Sequence, residues 1–253
     1  MIDFYKARIA FKNYVSHYDE TIPSIRLKII HTYEVMKCSD YLCEQLNLSQ
    51  EDKELAALIA LLHDIGRFEQ WMQYESFADY KTIDHALFSS QLLFEDGLIR
   101  EFIEDNQYDD IIQSAIEQHN KYKIDEGFDE RTLLFIHLIR DADKLDNFRV
   151  KDEEDIETTL YTTVDKVNQE TISPLIYEQF YHQELIYGPY RKTHIDMWLS
   201  YIAFIFDLHF EQSLQYIKDN NWVHRSFDRL HPTDPKTYEQ YEILRQRALD
   251  YVG

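Results

Sequence analysis

Three features of the 253-residue sequence predict an all-α fold. Apolar residues recur at helical spacing through most of the chain. There are only 5 Gly and 5 Pro, whereas all-β folds need many turns and turns draw on both residues. Hydrophobic residues make up 44% of the chain, enough to fill a core between long helices joined by short polar loops.

The elements follow in order. From Ser24 to Leu46, the residues Leu27, His31, Val35, Cys38 and Leu42 fall on one helical face. Ser49-Gln50-Glu51-Asp52 reads as a capping box. It opens a helix that carries Leu55, Leu58, Ile59 and Leu62 and runs into His63-Asp64-Ile65-Gly66. Gly66 is expected to stop that helix. Residues 67–81 read as an irregular, aromatic-rich connection, and a further helix is expected from Thr82 to Phe94, with Gly97 beyond it. Tyr108–His119 repeats the helical spacing through Ile112, Ala115, Ile116 and His119, and Arg131–Asn147 does so through Ile136, Ile139 and Asp143. The acidic stretch from Lys151 to Thr159 is the expected boundary between a core, residues 1–150, and a C-terminal helical extension packed on it, residues 151–253. Within the extension, residues 187–192 form a turn, an aromatic helix spans His194 to Tyr216, and a last helix spans Pro235 to Tyr251.

Charge and cysteine usage narrow the function classes. The formal charge is −21, which repels nucleic-acid polymers and anionic membranes. A small anionic substrate remains compatible, because a bound metal ion inverts the local sign. The two cysteines, Cys38 and Cys43, form neither a CxxC pair nor a disulfide framework. Free thiols suit a reducing compartment. The N-terminus lacks the apolar run of a signal peptide, and no stretch is apolar enough to span a bilayer. The expected location is the cytoplasm.

The chemistry rests on a recurring oddity. His63 and Asp64 end a helix that reads as buried, and a buried charge is costly unless it is paired or coordinates a metal. A lone His-Asp dipeptide carries little information among 11 histidines. However, His31, His119 and Asp143 each lie on the apolar face of another helix, and His85 lies in the first turn of its own. Ligand-type residues on several apolar faces must point into a common core, where they form a hydrogen-bonded network or bind metal.

The order His31, then His63-Asp64, then Asp143 within Arg140-Asp-Ala-Asp-Lys-Leu-Asp146 resembles the HD-domain superfamily of metal-dependent phosphohydrolases. Leu61-Leu-His-Asp-Ile-Gly-Arg67 is similar to its central motif, and Ala142-Asp143-Lys144-Leu145 to its distal aspartate motif. The likeness covers about residues 20–150 and leaves the C-terminal hundred residues unmatched. It implies an HD-type helical bundle with additional C-terminal helices, and a divalent metal ion held by His31, His63, Asp64 and Asp143. His85 and His119 stand where the binuclear branch has two further histidines, so one or two ions are implied, with Asp64 bridging a pair. Imidazole with carboxylate and no thiolate favours Fe or Mn, with Zn, Co, Ni and Mg also admissible.

The implied activity is hydrolysis of a small phosphorylated substrate, such as a nucleotide, by a metal-activated water. Asp64, Arg67 and Lys144 are the candidate catalytic residues, Arg67 and Lys144 because they could hold a phosphate. A salt bridge from Lys144 to Asp141 or Asp146 is the structural alternative. Glu34 reads as a helix-surface residue. No Gly-Tyr-Pro element follows the motif, so the cyclic-dinucleotide branch is not indicated. Two other readings stand beside this one: a binuclear-iron oxygenase of the same superfamily, and a ligand-binding protein without turnover.

Overall fold

A computed structural model describes residues 2–253. The described residues form helices and connections, with no strand among them. They divide into two compact units, one ending at Asp143 and the other running from Lys144 to Gly253, and the division falls inside one long helix.

The first unit is built around a central helix. In chain order its helices are α1 (Phe4–Val15), α2 (Pro23–Gln45), α3 (Gln50–Leu62), α4 (Gly66–Tyr74), α5 (His85–Ser90), α6 (Asp109–Gln118) and the first part of α7 (Glu130–Glu153). α3 packs against α1, α2 and α6. Its second half, Leu58 to Leu62, is buried on every side, the signature of a core helix rather than a surface one. Ser49 caps its start by accepting a hydrogen bond from the Asp52 backbone N–H at 3.1 Å. The box is not reciprocal, because the Asp52 carboxylate accepts from the Ser49 hydroxyl at 2.8 Å instead.

Gly66 does not stop a helix. It starts α4, and the break after α3 spans only His63, Asp64 and Ile65. The glycine serves a close approach to Ser89 on α5. A Cβ at position 66 would lie 2.8 Å from the Ser89 backbone nitrogen and 2.9 Å from its Oγ. The Gly66 N–H donates to that same Oγ at 2.9 Å. The stretch expected to be irregular, residues 67–81, is therefore largely α4 followed by a short 3-10 turn, Asp79–Lys81. The next helix starts at His85 rather than Thr82. Asp84 caps it, accepting from the N–H groups of Ala86 and Leu87. Beyond Ser90 it widens into a π turn, Gln91–Glu95, and Gly97 with φ of +82° supplies the stop.

The second unit continues α7 and adds α8 (Ile156–Leu160), α9 (Val164–Asn168), α10 (Pro174–Tyr181), α11 (His194–Ile202), α12 (Glu211–Asp219), α13 (Trp222–Phe227) and α14 (Pro235–Val252). The acidic stretch from Lys151 to Thr159, expected as the boundary, is mostly helical: α7 runs through Glu153 and α8 begins three residues later. The long helix expected from His194 to Tyr216 is broken. After α11 comes a 3-10 segment, Ala203–Asp207, then extended backbone at Leu208 and Phe210 before α12. Apolar spacing alone does not register such a break, because the flanking residues stay apolar across it. α14 packs on α10, α12 and α13, and the Tyr241 hydroxyl donates to the Phe227 carbonyl at 3.2 Å.

Replacing Gly66 by Ala is expected to destabilise the protein by about 1–3 kcal/mol, because a backbone atom rather than a flexible side-chain tip must yield. Urea denaturation of the two proteins measures it, and equal midpoints would show that α4 and α5 have room to separate.

Candidate metal centre

Helix ends place most of the candidate residues. His63 is the C-cap of α3 and His119 the C-cap of α6. Each ring turns back along its own helix. His63 Nδ1 donates to the Ala60 carbonyl at 2.8 Å, and His119 Nδ1 to the Ile116 carbonyl at 2.6 Å. The last carbonyls of a helix lack regular i+4 donors, and these rings supply a bond to one in each helix, at Ile116 beside the longer bond from the His119 N–H at 3.4 Å. A carbonyl only accepts, so Nδ1 carries the proton on both rings and each Nε2 presents a lone pair. His85, the first residue of α5, has the same tautomer for a different reason: its Nδ1 donates to Asp79 Oδ2 at 2.5 Å. His31 lies within α2 and Asp143 within α7. Arg140, also on α7, donates to the carbonyls of Gln118 and Lys121 at 2.8 and 2.7 Å, fixing the end of α6 beside His119.

Asp64 sits at the centre, and its two oxygens face different partners. Oδ2 lies 3.6 Å from His31 Nε2 and 3.7 Å from His63 Nε2. Oδ1 lies 3.4 Å from His85 Nε2 and 3.8 Å from His119 Nε2. Asp143 Oδ1 completes the first side, 3.0 Å from His31 Nε2 and 4.0 Å from His63 Nε2. His31, His63 and Asp64 form one group whose ligand atoms lie together, and Asp64, His85 and His119 form a second. The six residues named from the sequence thus share one cluster, buried except at the partly exposed Asp143 and hinged on a single carboxylate.

The donor set fits a divalent cation on three observations. His63 Nε2 and Asp64 Oδ1 are buried with no hydrogen-bond partner, a costly state for polar atoms that nothing offsets. The Nε2 atoms of His85 and His119 face each other at 3.0 Å beside Asp64 Oδ1, so both ring nitrogens converge on the space next to one carboxylate oxygen. Burial, then the neighbouring His85 and His63, push His119 down to about 3. Burial likewise lowers His63. Neutral imidazoles beside ionised carboxylates are what a metal requires of its ligands. Burial by itself would raise the Asp64 carboxyl, but Lys28, His63, His85 and Arg67 hold it well below the ordinary carboxylate range.

Other residues differ in how far the sequence revealed them. Arg67 lies beside it, with Nε 3.6 Å from Asp64 Oδ1 and no hydrogen-bond partner. Its Nη1 is held by Asp79, Gln70 and the Phe77 carbonyl at 2.7 to 2.9 Å. Lys144 is buried and pairs with Asp207 at 3.0 Å. Glu34 pairs with Lys37 on the surface of α2. Sequence reasoning missed Lys28, whose Nζ donates to Asp64 Oδ2 at 2.7 Å; its place three residues before His31 on one helix was the available signal. It also missed Asp79, which joins Arg67, Gln70 and His85 and had no signal inside a stretch read as irregular.

A comparison with models of protein families matches residues 29–147 to the HD domain. No curated protein and no solved structure matches the chain.

Asp64→Ala is expected to bind no stoichiometric metal while remaining helical, because one carboxylate faces both histidine pairs. The double variant His85→Ala, His119→Ala is expected to keep one ion where the parent protein takes two. Metal analysis after saturation with Mn2+ measures both, and a parent protein that saturates at one equivalent would reduce the cluster to a mononuclear site.

Proposed function

Residues 29–147 belong to the HD-domain superfamily, and from that premise we propose that the chain is a metal-dependent phosphohydrolase acting on a small phosphate ester or nucleotide. The observation that carries the reading is the division of Asp64 between two histidine pairs, with His63 Nε2 and Asp64 Oδ1 buried and unpartnered. His31, His63, Asp64 and Asp143 would hold one ion, and His85 and His119, with the other oxygen of Asp64, a second. A divalent ion in such a site supplies an activated water at neutral pH and neutralises charge gathering on phosphoryl oxygens.

The remaining work falls to the protein's own groups. The backbone carbonyls of Ala60 and Ile116 and the Asp79 carboxylate keep the Nδ1 protons of three rings in place, so that Nε2 stays available. Arg67 is oriented by Asp79 and Gln70 through one nitrogen and keeps Nε for a phosphate oxygen. Lys144 is a weaker candidate for that role because its ammonium is engaged by Asp207. Burial of the cluster limits bulk water around the reacting groups. The same six residues are compatible with a binuclear-iron oxygenase. An unpartnered guanidinium nitrogen beside Asp64 favours a phosphorylated substrate instead. No helix among the described residues is long and apolar enough to cross a membrane.

The test is a panel of phosphomonoesters, phosphodiesters and nucleotides assayed with Mn2+- or Fe2+-loaded protein. Phosphate release that disappears in Asp64→Ala is expected. Oxygen uptake with no phosphate release would move the chain to the oxygenase class. On a substrate so identified, Arg67→Ala is expected to lower kcat/KM by about tenfold or more, the worth of one charge-assisted hydrogen bond, with metal content retained. Kinetics equal to the parent's would return Arg67 to a purely structural place between α4 and Asp79.

A further inference from the structure

Lys28 belongs to no ligand group, and the proposed hydrolysis gives it no task. Its side chain is 17% exposed, and its Nζ donates to Asp64 Oδ2 at 2.7 Å. That oxygen is the one facing His31 and His63. Arg67 stands by the other oxygen, 3.6 Å from Oδ1 through its unpartnered Nε. The two cations also share an apolar neighbour, since Lys28 Nζ and Arg67 Cζ each lie 5.6 Å from the centre of the Phe77 ring. One carboxylate therefore carries a lysine at one oxygen and an arginine at the other, beside a common aromatic wall.

A largely buried ammonium is stable only beside an anion. Asp64 is that anion as long as its charge is free to answer Lys28. Once a divalent ion draws on the same carboxylate, Lys28 is left near a second cation with its partner's charge already claimed. The balance is restored by an anion that reaches both. We infer that Lys28 is a substrate-binding residue that, with Arg67, grips a terminal phosphate, and that the site prefers a dianionic phosphomonoester to a monoanionic phosphodiester. This inference rests on the phosphohydrolase reading and names its substrate class. A diester carries one charge fewer and esterifies an oxygen that the second cation would hold, so it gains less from the pair.

Isothermal titration of the full-length, Mn2+-loaded protein with inorganic phosphate and with dimethyl phosphate tests it. The parent protein is expected to bind phosphate more tightly than dimethyl phosphate. Lys28→Met is expected to weaken phosphate binding by about tenfold or more, the worth of one charge-assisted hydrogen bond. It should keep the parent's manganese content and helical circular dichroism, and Lys28→Arg should restore most of the affinity. Phosphate binding by Lys28→Met equal to the parent's would overturn the inference, as would loss of manganese in that variant, which would make Lys28 a support for Asp64. Equal affinity of the parent for the two anions would overturn the monoester preference. Failure of the loaded parent to bind either anion would bring down the phosphohydrolase reading together with the inference, an outcome distinct from a Lys28-specific failure.

Discussion

The Asp64 carboxylate is the constraint on which the first unit depends. It is 3% exposed and remains ionised in a place where burial opposes charge. Isolated, such a group would be too costly to keep. The fold answers by bringing cationic or ligand-type groups to both of its oxygens from separate helices. Lys28 and His31 come from α2, His63 from the end of α3, Arg67 from α4, His85 from α5 and His119 from the end of α6. Each of these helices must hold its position for the charge to be tolerated, so the chemistry and the packing of the bundle are one requirement.

Ordinary helix-ending physics does much of the positioning. A helix leaves its last carbonyls without regular i+4 donors, and at α3 and α6 a histidine supplies a bond to one through Nδ1. The bond that finishes the helix thereby also fixes the tautomer and directs Nε2 toward Asp64. Asp79 does the equivalent for His85 from outside any α-helix, and it ties Arg67 and Gln70 into the same arrangement. The absence of a Cβ at Gly66 lets α4 approach Ser89 at the start of this network, which keeps Arg67 and His85 within reach of one carboxylate.

The second unit shows what a buried carboxylate looks like when its role is structural. Asp196 is fully buried, as Asp64 nearly is. Its oxygens accept from the Ser173 N–H and hydroxyl and from the N–H groups of Lys192 and Thr193, at 2.6 to 3.2 Å. Those bonds hold the start of α11 to the start of α10, and every one comes from a neutral donor. Asp64 instead has an oxygen with no hydrogen-bond partner and is ringed by imidazoles. Residue type and burial are shared by the two aspartates. The difference between closed and open valences separates a structural carboxylate from one that can take a ligand.

The sequence by itself determined the helical class and set His31, His63, Asp64, His85, His119 and Asp143 on apolar faces or at helix ends, where a polar group is conspicuous; the likeness to the HD domain joined the six into one candidate set. The sequence also placed Arg67 beside them, three positions after Asp64. Periodicity did not determine where helices break: the end of α3 at His63, the start of α4 at Gly66 and the interruption after Ile202 leave the apolar pattern intact. Nor did it assign partners to the charged residues. Lys28 had only its helical spacing to His31 to mark it, and its bond to Asp64, the role of Asp79 and the Lys144–Asp207 pair emerge in three dimensions, because Coulomb and hydrogen-bond energies depend on distance in space. The sequence distances across these contacts, 6 residues for Asp79 and His85, 36 for Lys28 and Asp64 and 63 for Lys144 and Asp207, are set by how helices pack and not by any local rule. The chain thus names the groups that can bind a metal, and the tertiary structure alone decides that the carboxylate between the two histidine pairs is flanked by two cations.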